Sequence, residues 1–123
     1  MEHIFFYLGL AALLVHEMDA VKRKEWRMFP GLSNLQDETA YSIFTGLHLP
    51  LYFLVFWLLQ KPETASILIL VLDAFFIIHL LLHIILRNAP KNNFSGIFSS
   101  TFIWISGISG LLDLLFQFWI IHQ

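Results

Sequence analysis

Four apolar segments fill most of this chain, and each is long enough to cross a lipid bilayer as a helix. A crossing takes roughly 20 helical residues, because the hydrocarbon core of a bilayer is about 30 Å thick. Segments of this kind lie at about 3–21, 40–60, 64–86 and 96–121, and the chain has only 123 residues. The sequence therefore predicts an all-α fold: an up-down-up-down integral membrane four-helix bundle, with one transmembrane domain over residues 1–123.

The composition agrees with a membrane protein and excludes several kinds of site. Only 13% of the residues are charged and 58% are hydrophobic, whereas soluble domains carry about 25% charged residues. The chain has no cysteine, which excludes disulfides, thiolate metal ligands and iron–sulfur clusters. The net charge of −2 gives no indication of nucleic-acid binding. We therefore expect the lipid bilayer, and no nucleic acid, as the main partner.

The basic residues predict how the bundle is oriented. Of the seven Lys and Arg residues, one lies in the second join, Lys61. The other six fall in the first and third joins: Lys22, Arg23, Lys24, Arg27, Arg87 and Lys91. Because cytoplasmic joins carry the excess of Lys and Arg, both termini should lie outside the cytoplasm. We expect a multi-pass protein of the inner (plasma) membrane.

Local signals predict where the inner helices begin and bend. The stretch from Ser33 to Gln36 has the pattern of a capping box for the second helix, and Thr64 is suited to cap the third. Pro50 lies inside the second helix and removes one backbone hydrogen bond, so it should kink that helix beside His48.

Two stripes indicate which helix faces point into the bundle. A carboxylate facing lipid is expensive, and small residues allow helices to pack closely. On the first helix the stripe is Gly9, Ala12, His16 and Ala20, and on the fourth it is Ser99, Ile103, Ser106, Gly110, Asp113 and Gln117. Asp73 on the third helix and Asp113 could form a second polar cluster.

Four histidines from three helices, His16, His48, His79 and His83, are expected at a similar depth near the cytoplasmic boundary. His79 and His83 are four residues apart and so share one side of their helix. His16 shares a face with Asp19, and Glu17 is adjacent to both. We expect these imidazoles and carboxylates to meet.

Such a cluster predicts a divalent metal ion. Histidine and carboxylate ligands suit zinc best, with iron or manganese as alternatives. The preferred ligands are His48, His79 and His83, completed by His16 or Asp19. If the protein is an enzyme, the ion would activate water and Glu17 would serve as general base. The expected substrate is lipid-like, with hydrolysis as the first expectation and oxidation by iron as the second.

Other interpretations stay open at this point. The histidines could form a hydrogen-bonded packing network without any ion, or hold haem as in membrane b-type cytochromes. The protein could also be a non-catalytic membrane subunit, a partner-binding bundle, a homodimer, or an ion or proton conduit that uses Asp73 and Asp113. Glu25 and Arg27, on either side of Trp26, are interpreted as an interfacial anchor, and His3 near the chain end is expected to be solvated.

Three motifs carry a resemblance to a known family. They are "HEMDAVKRKEWRMF" at the end of the first helix, "LHLPLY" in the second and "IIHLLLHIILRNAPKNNF" at the end of the third. Together they resemble a domain-of-unknown-function family of small uncharacterised bacterial membrane proteins. This resemblance implies the four-span fold and brings no activity with it. The first-helix histidine followed by carboxylates is also loosely similar to HXXEE-type membrane domains, with Asp19 and Ala20 in place of the paired glutamates.

Overall fold

Four long helices form the structure, a computed structural model that describes residues 3–89 and 96–121. They are α1 (Ile4–Arg23), α2 (Asp37–Leu59), α3 (Pro62–Ile85) and α4 (Ile97–Ile121). Short 3₁₀ helices occur at Glu25–Met28, Leu32–Asn34 and Leu86–Asn88. The described residues contain no β-strand. Lys91, which contributed to the predicted orientation, lies outside the described residues.

All four long helices are apolar enough to cross a membrane. The prediction of an all-α fold is therefore confirmed among the described residues, and the four helices are long and apolar enough to suggest a multi-pass membrane protein. The orientation of the termini, the up-down-up-down topology and the single-domain organisation stay predictions.

Both capping predictions are wrong. Ser33 lies in a 3₁₀ helix, and α2 begins after Gln36, whose side chain makes no capping hydrogen bond. Acidic residues in the first turn of α2 favour its N-terminus instead, through the helix dipole. The third helix begins with Pro62, a residue preorganised for the first helical position, and Thr64 donates to the Leu58 carbonyl at 2.8 Å. The helix α2 continues through Pro50.

Small residues allow α1 and α4 to pack closely against each other and against α3. A Cβ atom added at Gly9 would lie 3.0 Å from the ring of Phe76. One added at Gly110 would lie 2.8 Å from the backbone oxygen of Asp73. The predicted stripe on α1 is buried, and the stripe on α4 is buried apart from Gln117, which is half-buried. The predicted inward faces of these two helices are thus confirmed.

The apolar core consists of two clusters along the bundle. One joins α1 to α3 through Phe6, Leu10, Leu13, Ile69 and Phe76. The other lies around Ala20, Trp26, Ala40, Phe44, Leu80 and Ile103. The helix α2 contributes only its first part to the second cluster and leaves many large apolar side chains exposed along the rest of its length. In a bilayer these side chains suit contact with acyl chains.

Asp113 on α4 holds the beginning of α1. Its carboxylate accepts hydrogen bonds from the Phe6 backbone amide at 3.2 Å and from Gln117 at 2.6 Å. The His3 Nδ1 atom lies 3.0 Å from the same carboxylate, and the His3 side chain is only 24% exposed, so the prediction of a solvated His3 is wrong. Asp73 on α3 is fully buried and interacts electrostatically with Asp113. These contacts join three helices near the first turn of α1.

The close approach of α3 and α4 predicts that Gly110→Ala destabilises the bundle. The new methyl group would meet backbone rather than a flexible side chain, so the two helices must move apart, at a cost of about 1–3 kcal/mol. Thermal unfolding of the purified protein in detergent measures the change. Gly46→Ala is the matched control, because a Cβ there meets nothing within 4 Å. Equal unfolding temperatures for the two variants would contradict this packing.

Candidate metal centre

Three imidazole rings from α1 and α3 lie in contact with one another. The ring centroids of His79 and His83, which are one turn apart on α3, are 4.7 Å apart. His16 on α1 approaches both rings edge-on, with centroid distances of 4.9 Å to His79 and 5.0 Å to His83. His16 is fully buried, and the His83 side chain is only 9% exposed. The three rings therefore form a compact group of nitrogen donors that is largely shielded from solvent.

Glu25 completes this group from outside the four long helices. Its carboxylate oxygens lie 3.9 Å from His16 Nε2 and 3.7 Å from His83 Nε2. Glu25 is buried, at 7% relative exposure, although it follows α1 in a strongly basic stretch. One ligand atom from each of His16, Glu25, His79 and His83 can be chosen so that all lie within 4.8 Å of one another. We refer to these four residues as the His3Glu cluster.

A sharp chain reversal brings Glu25 to the histidines. Lys24 adopts a left-handed backbone conformation, with φ 58° and ψ 49°, and its amide bonds back to the carbonyls of Ala20 and Val21. This conformation costs a non-glycine residue about 1–2 kcal/mol. The left-handed residue ends α1 and reverses the chain direction. The 3₁₀ helix that follows therefore begins with Glu25 beside His16.

Asp37 holds that 3₁₀ helix in place from the first turn of α2. Its carboxylate accepts hydrogen bonds from Lys24 Nζ at 2.6 Å, from Trp26 Nε1 at 3.2 Å and from Arg27 Nε at 2.8 Å. These donors lie on both sides of Glu25 in the chain. The Trp26 ring also packs on Phe44, at a centroid distance of 5.8 Å. Asp37 therefore acts as a positioning residue for the Glu25 carboxylate.

The charges and donor atoms of the His3Glu cluster fit a cation. Burial raises the pKa of Glu25 to about 8, and the nearby Glu17 carboxylate adds to this effect, so a neighbouring cation would be needed to favour the ionised carboxylate at neutral pH. The His79 Nε2 atom is buried and has no hydrogen-bond partner among the described residues. Ligands of a tetrahedral zinc ion lie roughly 3.3 Å apart, given metal–ligand distances of about 2.0–2.1 Å. The four donors lie within 4.8 Å of one another and would have to move closer together to reach that spacing.

A second histidine–carboxylate contact lies beside the cluster. His48 Nε2 is 3.0 Å from Glu17 Oε2, and His48 Nδ1 is 2.7 Å from the carbonyl oxygen of Phe44. A carbonyl can only accept a hydrogen bond, so Nδ1 carries a proton and donates it. The contact between Nε2 and Glu17 then holds one further proton, on either partner. We refer to His48 and Glu17 as the proton-sharing pair.

One cavity of about 370 Å³ connects the two groups. Its polar wall contains both members of the proton-sharing pair together with Glu25, His79 and His83. The remaining wall is apolar and is formed by Met28, Phe29, Phe44, Phe75, Leu82 and Leu86. The arrangement therefore places a potential acid–base pair and a potential metal site around one space that suits an apolar molecule.

The structure sorts the residues that the sequence had suggested as ligands. His16, His79 and His83 are together in the His3Glu cluster, whereas His48 and Asp19 are outside it. His48 is directed to Glu17 and to a backbone carbonyl. Asp19 accepts a hydrogen bond from Ser99 and lies 3.5 Å from Arg23 Nε. The ligand roles themselves, and the role of Glu17 as general base, stay predictions.

Glu25 is the member of the cluster that sequence reasoning missed. It had been interpreted as part of an interfacial anchor because it lies among four basic residues and next to a tryptophan. The only signal in the sequence was an acidic residue within the basic stretch from Lys22 to Arg27. The left-handed backbone conformation at Lys24 could not be predicted from the sequence, because such conformations usually occur at glycine.

Comparison with known proteins gives a family but no activity. Residues 2–119 match the model of a family described as "Family of unknown function (DUF6713)". Neither a curated protein nor a solved structure matches the chain.

The contacts of Asp37 predict that Asp37→Ala weakens metal binding although Asp37 is not a ligand. Without its three hydrogen bonds the 3₁₀ helix should hold Glu25 less accurately, and loss of such indirect support costs about tenfold or more in metal affinity. Calorimetric titration with Zn²⁺ measures the affinity. Glu38→Ala, which removes the neighbouring acidic residue of the same helical turn, should leave it unchanged. An Asp37→Ala variant with wild-type zinc affinity would contradict the positioning role.

Proposed function

The chain belongs to DUF6713, a family of unknown function, and from the geometry of its site we propose that it is a membrane metalloprotein holding one divalent cation in the His3Glu cluster. The observation that carries this proposal is the convergence of four ligand atoms, from α1, α3 and the 3₁₀ helix after α1, within 4.8 Å of one another. Three imidazoles and one carboxylate are a donor set typical of zinc. Iron and manganese are the alternatives, because both also accept histidine and carboxylate ligands.

The direct ring contacts favour an ion over haem. A haem bound between two histidines separates their rings by the thickness of the macrocycle, whereas the three rings of this cluster lie within 4.7–5.0 Å of one another. A single ion needs no such separation. A simple packing network is also disfavoured, since His79 Nε2 is buried without a hydrogen-bond partner among residues 3–89 and 96–121.

We place the cluster near the cytoplasmic surface of the inner membrane. The supporting observation is that Glu25 belongs to the join that contains Lys22, Arg23, Lys24 and Arg27. Basic joins remain on the cytoplasmic side, so this orientation puts both chain termini outside. The site would then be reached from the inner leaflet or from the cytoplasm.

We further propose that the site hydrolyses a lipid-like substrate. A divalent ion would supply Lewis-acid chemistry that polarises a carbonyl or phosphoryl oxygen and activates water. Glu17, on the wall of the same cavity, would take the proton as general base, and His48 would hold Glu17 in place through their 3.0 Å contact. The apolar remainder of the wall would bind the substrate chain.

A non-catalytic metal site is the second candidate. Structural zinc sites are closed by four protein ligands, whereas catalytic ones keep one position open. The His3Glu cluster offers four donors, which by itself favours a closed site that joins α1, α3 and the first connecting segment. In that case the ion would stabilise the bundle, and the protein would act as a subunit or as a partner-binding module.

We expect the purified, untagged protein to bind one Zn²⁺ per chain, and His79→Ala or Glu25→Gln to reduce the bound metal sharply. Each removes one donor of the cluster. Elemental analysis after dialysis measures the metal content.

His48→Ala is the matched control, because His48 lies outside the four-residue group and should leave the zinc content near one per chain. Equal loss of zinc in His48→Ala and His79→Ala would contradict the proposed ligand set. A wild-type protein free of metal, with thermal stability that does not change in chelator or added zinc, would overturn the metal site itself.

The catalytic proposal predicts that Glu17→Gln keeps its zinc but loses hydrolytic activity. Loss of a general base lowers the rate by about a hundredfold or more. A suitable probe is p-nitrophenyl octanoate, an apolar ester whose product is coloured. If the zinc-loaded wild type hydrolyses this ester no faster than the Glu17→Gln variant, the catalytic proposal fails and the closed, non-catalytic site is favoured.

A further inference from the structure

A second cavity opens between α3 and α4, at the end of the bundle that carries the His3Glu cluster. Its volume is about 310 Å³. Most of its wall is apolar and is formed by Leu80, Ile84, Ile103 and Trp104. Two of these side chains, Ile84 at 39% and Trp104 at 48% relative exposure, also reach the outer surface of the bundle. The cavity is therefore accessible from the outer surface of the bundle, which in a bilayer would face acyl chains.

The same cavity carries a cationic group at its end. Arg87, in the 3₁₀ helix after α3, lines the cavity together with the hydroxyl-bearing Ser100. Arg87 is exposed and makes no ion pair within the described part of the chain, in contrast to Lys24 and Arg27, which contact Asp37. Its charge is thus not balanced by any described carboxylate.

His83 lies between this cavity and the 370 Å³ cavity beside the His3Glu cluster. It lines both cavities, and its Nε2 atom is 3.7 Å from Glu25. A molecule bound between α3 and α4 would therefore contact one of the proposed metal ligands directly. The two spaces are neighbours that share one histidine as a wall.

We propose that the cavity between α3 and α4 binds an anionic phospholipid, with its phosphate at Arg87 and an acyl chain along the apolar wall. Guanidinium groups pair with phosphate oxygens through two parallel hydrogen bonds. An apolar cleft at the bundle surface, lined by an arginine that has no ion-pair partner among residues 3–89 and 96–121, matches the two parts of such a molecule. That this lipid is the substrate of the site rests on the proposed function; that it binds here does not.

Trp104 provides a probe for this binding, because brominated acyl chains quench tryptophan fluorescence on contact. The purified, metal-free protein in neutral detergent is titrated with brominated-chain phosphatidylglycerol and, separately, with brominated-chain phosphatidylcholine. The signal of Trp104 is the difference between the wild type and Trp104→Phe, since the chain has four tryptophans. We expect phosphatidylglycerol to quench Trp104 at lower concentration than the zwitterionic lipid.

The variants Arg87→Gln and Lys22→Gln make the test specific. Both remove one positive charge from the basic joins, but only Arg87 lines the cavity. We expect Arg87→Gln to raise the quenching midpoint for phosphatidylglycerol about five- to tenfold, and Lys22→Gln to leave it unchanged. Equal effects of the two variants, or no preference for the anionic lipid, would overturn the proposal.

Two further measurements distinguish lipid binding from binding of a free anion and from metal binding. Competition by millimolar inorganic phosphate would show that the site recognises the free anion rather than a lipid, and would overturn the lipid assignment. Zinc titration of Arg87→Gln should give wild-type affinity, because Arg87 is outside the His3Glu cluster.

The two proposals can fail separately. If the wild type binds zinc but anionic lipid does not quench Trp104, the lipid site is contradicted and the metal site is not. If anionic lipid quenches Trp104 but the wild type binds no zinc, the proposed function is contradicted and the lipid site is not.

Discussion

A polar side chain within hydrocarbon cannot rely on water, so it must find its partner inside the protein. In this bundle several of those partners lie on a different helix. Asp19 on α1 accepts a hydrogen bond from Ser99 on α4, and Asp113 on α4 accepts one from the Phe6 amide on α1. These two contacts are at opposite ends of the α1–α4 interface and set the register of the two helices. Gly9 lies between them, and a Cβ atom there would be 3.2 Å from Ser109 Cβ on α4, so this glycine lets the two helices approach closely.

The register has a direct consequence for the site. With α1 held against α4, and α4 in turn packed on α3 at Gly110, His16 reaches the face of α3 that carries His79 and His83. The three rings are brought together by two helices that are not adjacent in sequence. The carboxylate comes from outside the span, through a left-handed turn at Lys24 and the hydrogen bonds of Asp37. The site therefore combines three imidazoles on packed helices with one carboxylate whose segment is held by hydrogen bonds to Asp37.

Two cavities border this site, and they differ in chemistry. One is lined by the proton-sharing pair and by members of the His3Glu cluster, and the rest of its wall is apolar. The other is lined by Arg87 and by Ile84 and Trp104, which reach the outer surface of the bundle. His83 belongs to both, so a lipid phosphate, a metal ion and a carboxylate–imidazole pair would lie within a few residues of one another. This proximity is the physical basis for connecting metal binding with a lipid-like substrate.

Much of this arrangement follows from periodicity along single helices. The four-residue spacing of His79 and His83, the small stripe on α1 and the polar stripe on α4 all predict the faces that are buried. The depth of His16 in α1 predicts that it lies at the same end of the bundle as His79 and His83, and its ring contacts both of theirs. His48 was expected in the same cluster, but the side of α2 that it occupies directs it to Glu17 instead. His3 was expected in solvent, but Asp113 binds it.

The sequence by itself determined that the chain forms four apolar helices, which of their faces avoid lipid, and that several imidazoles gather near one end. Those properties depend on residue type and on the 3.6-residue repeat, which are visible along the chain. Only the tertiary structure decided which carboxylate meets which imidazole. That pairing depends on interhelical register and on a reversal at Lys24, and both result from contacts between residues far apart in sequence.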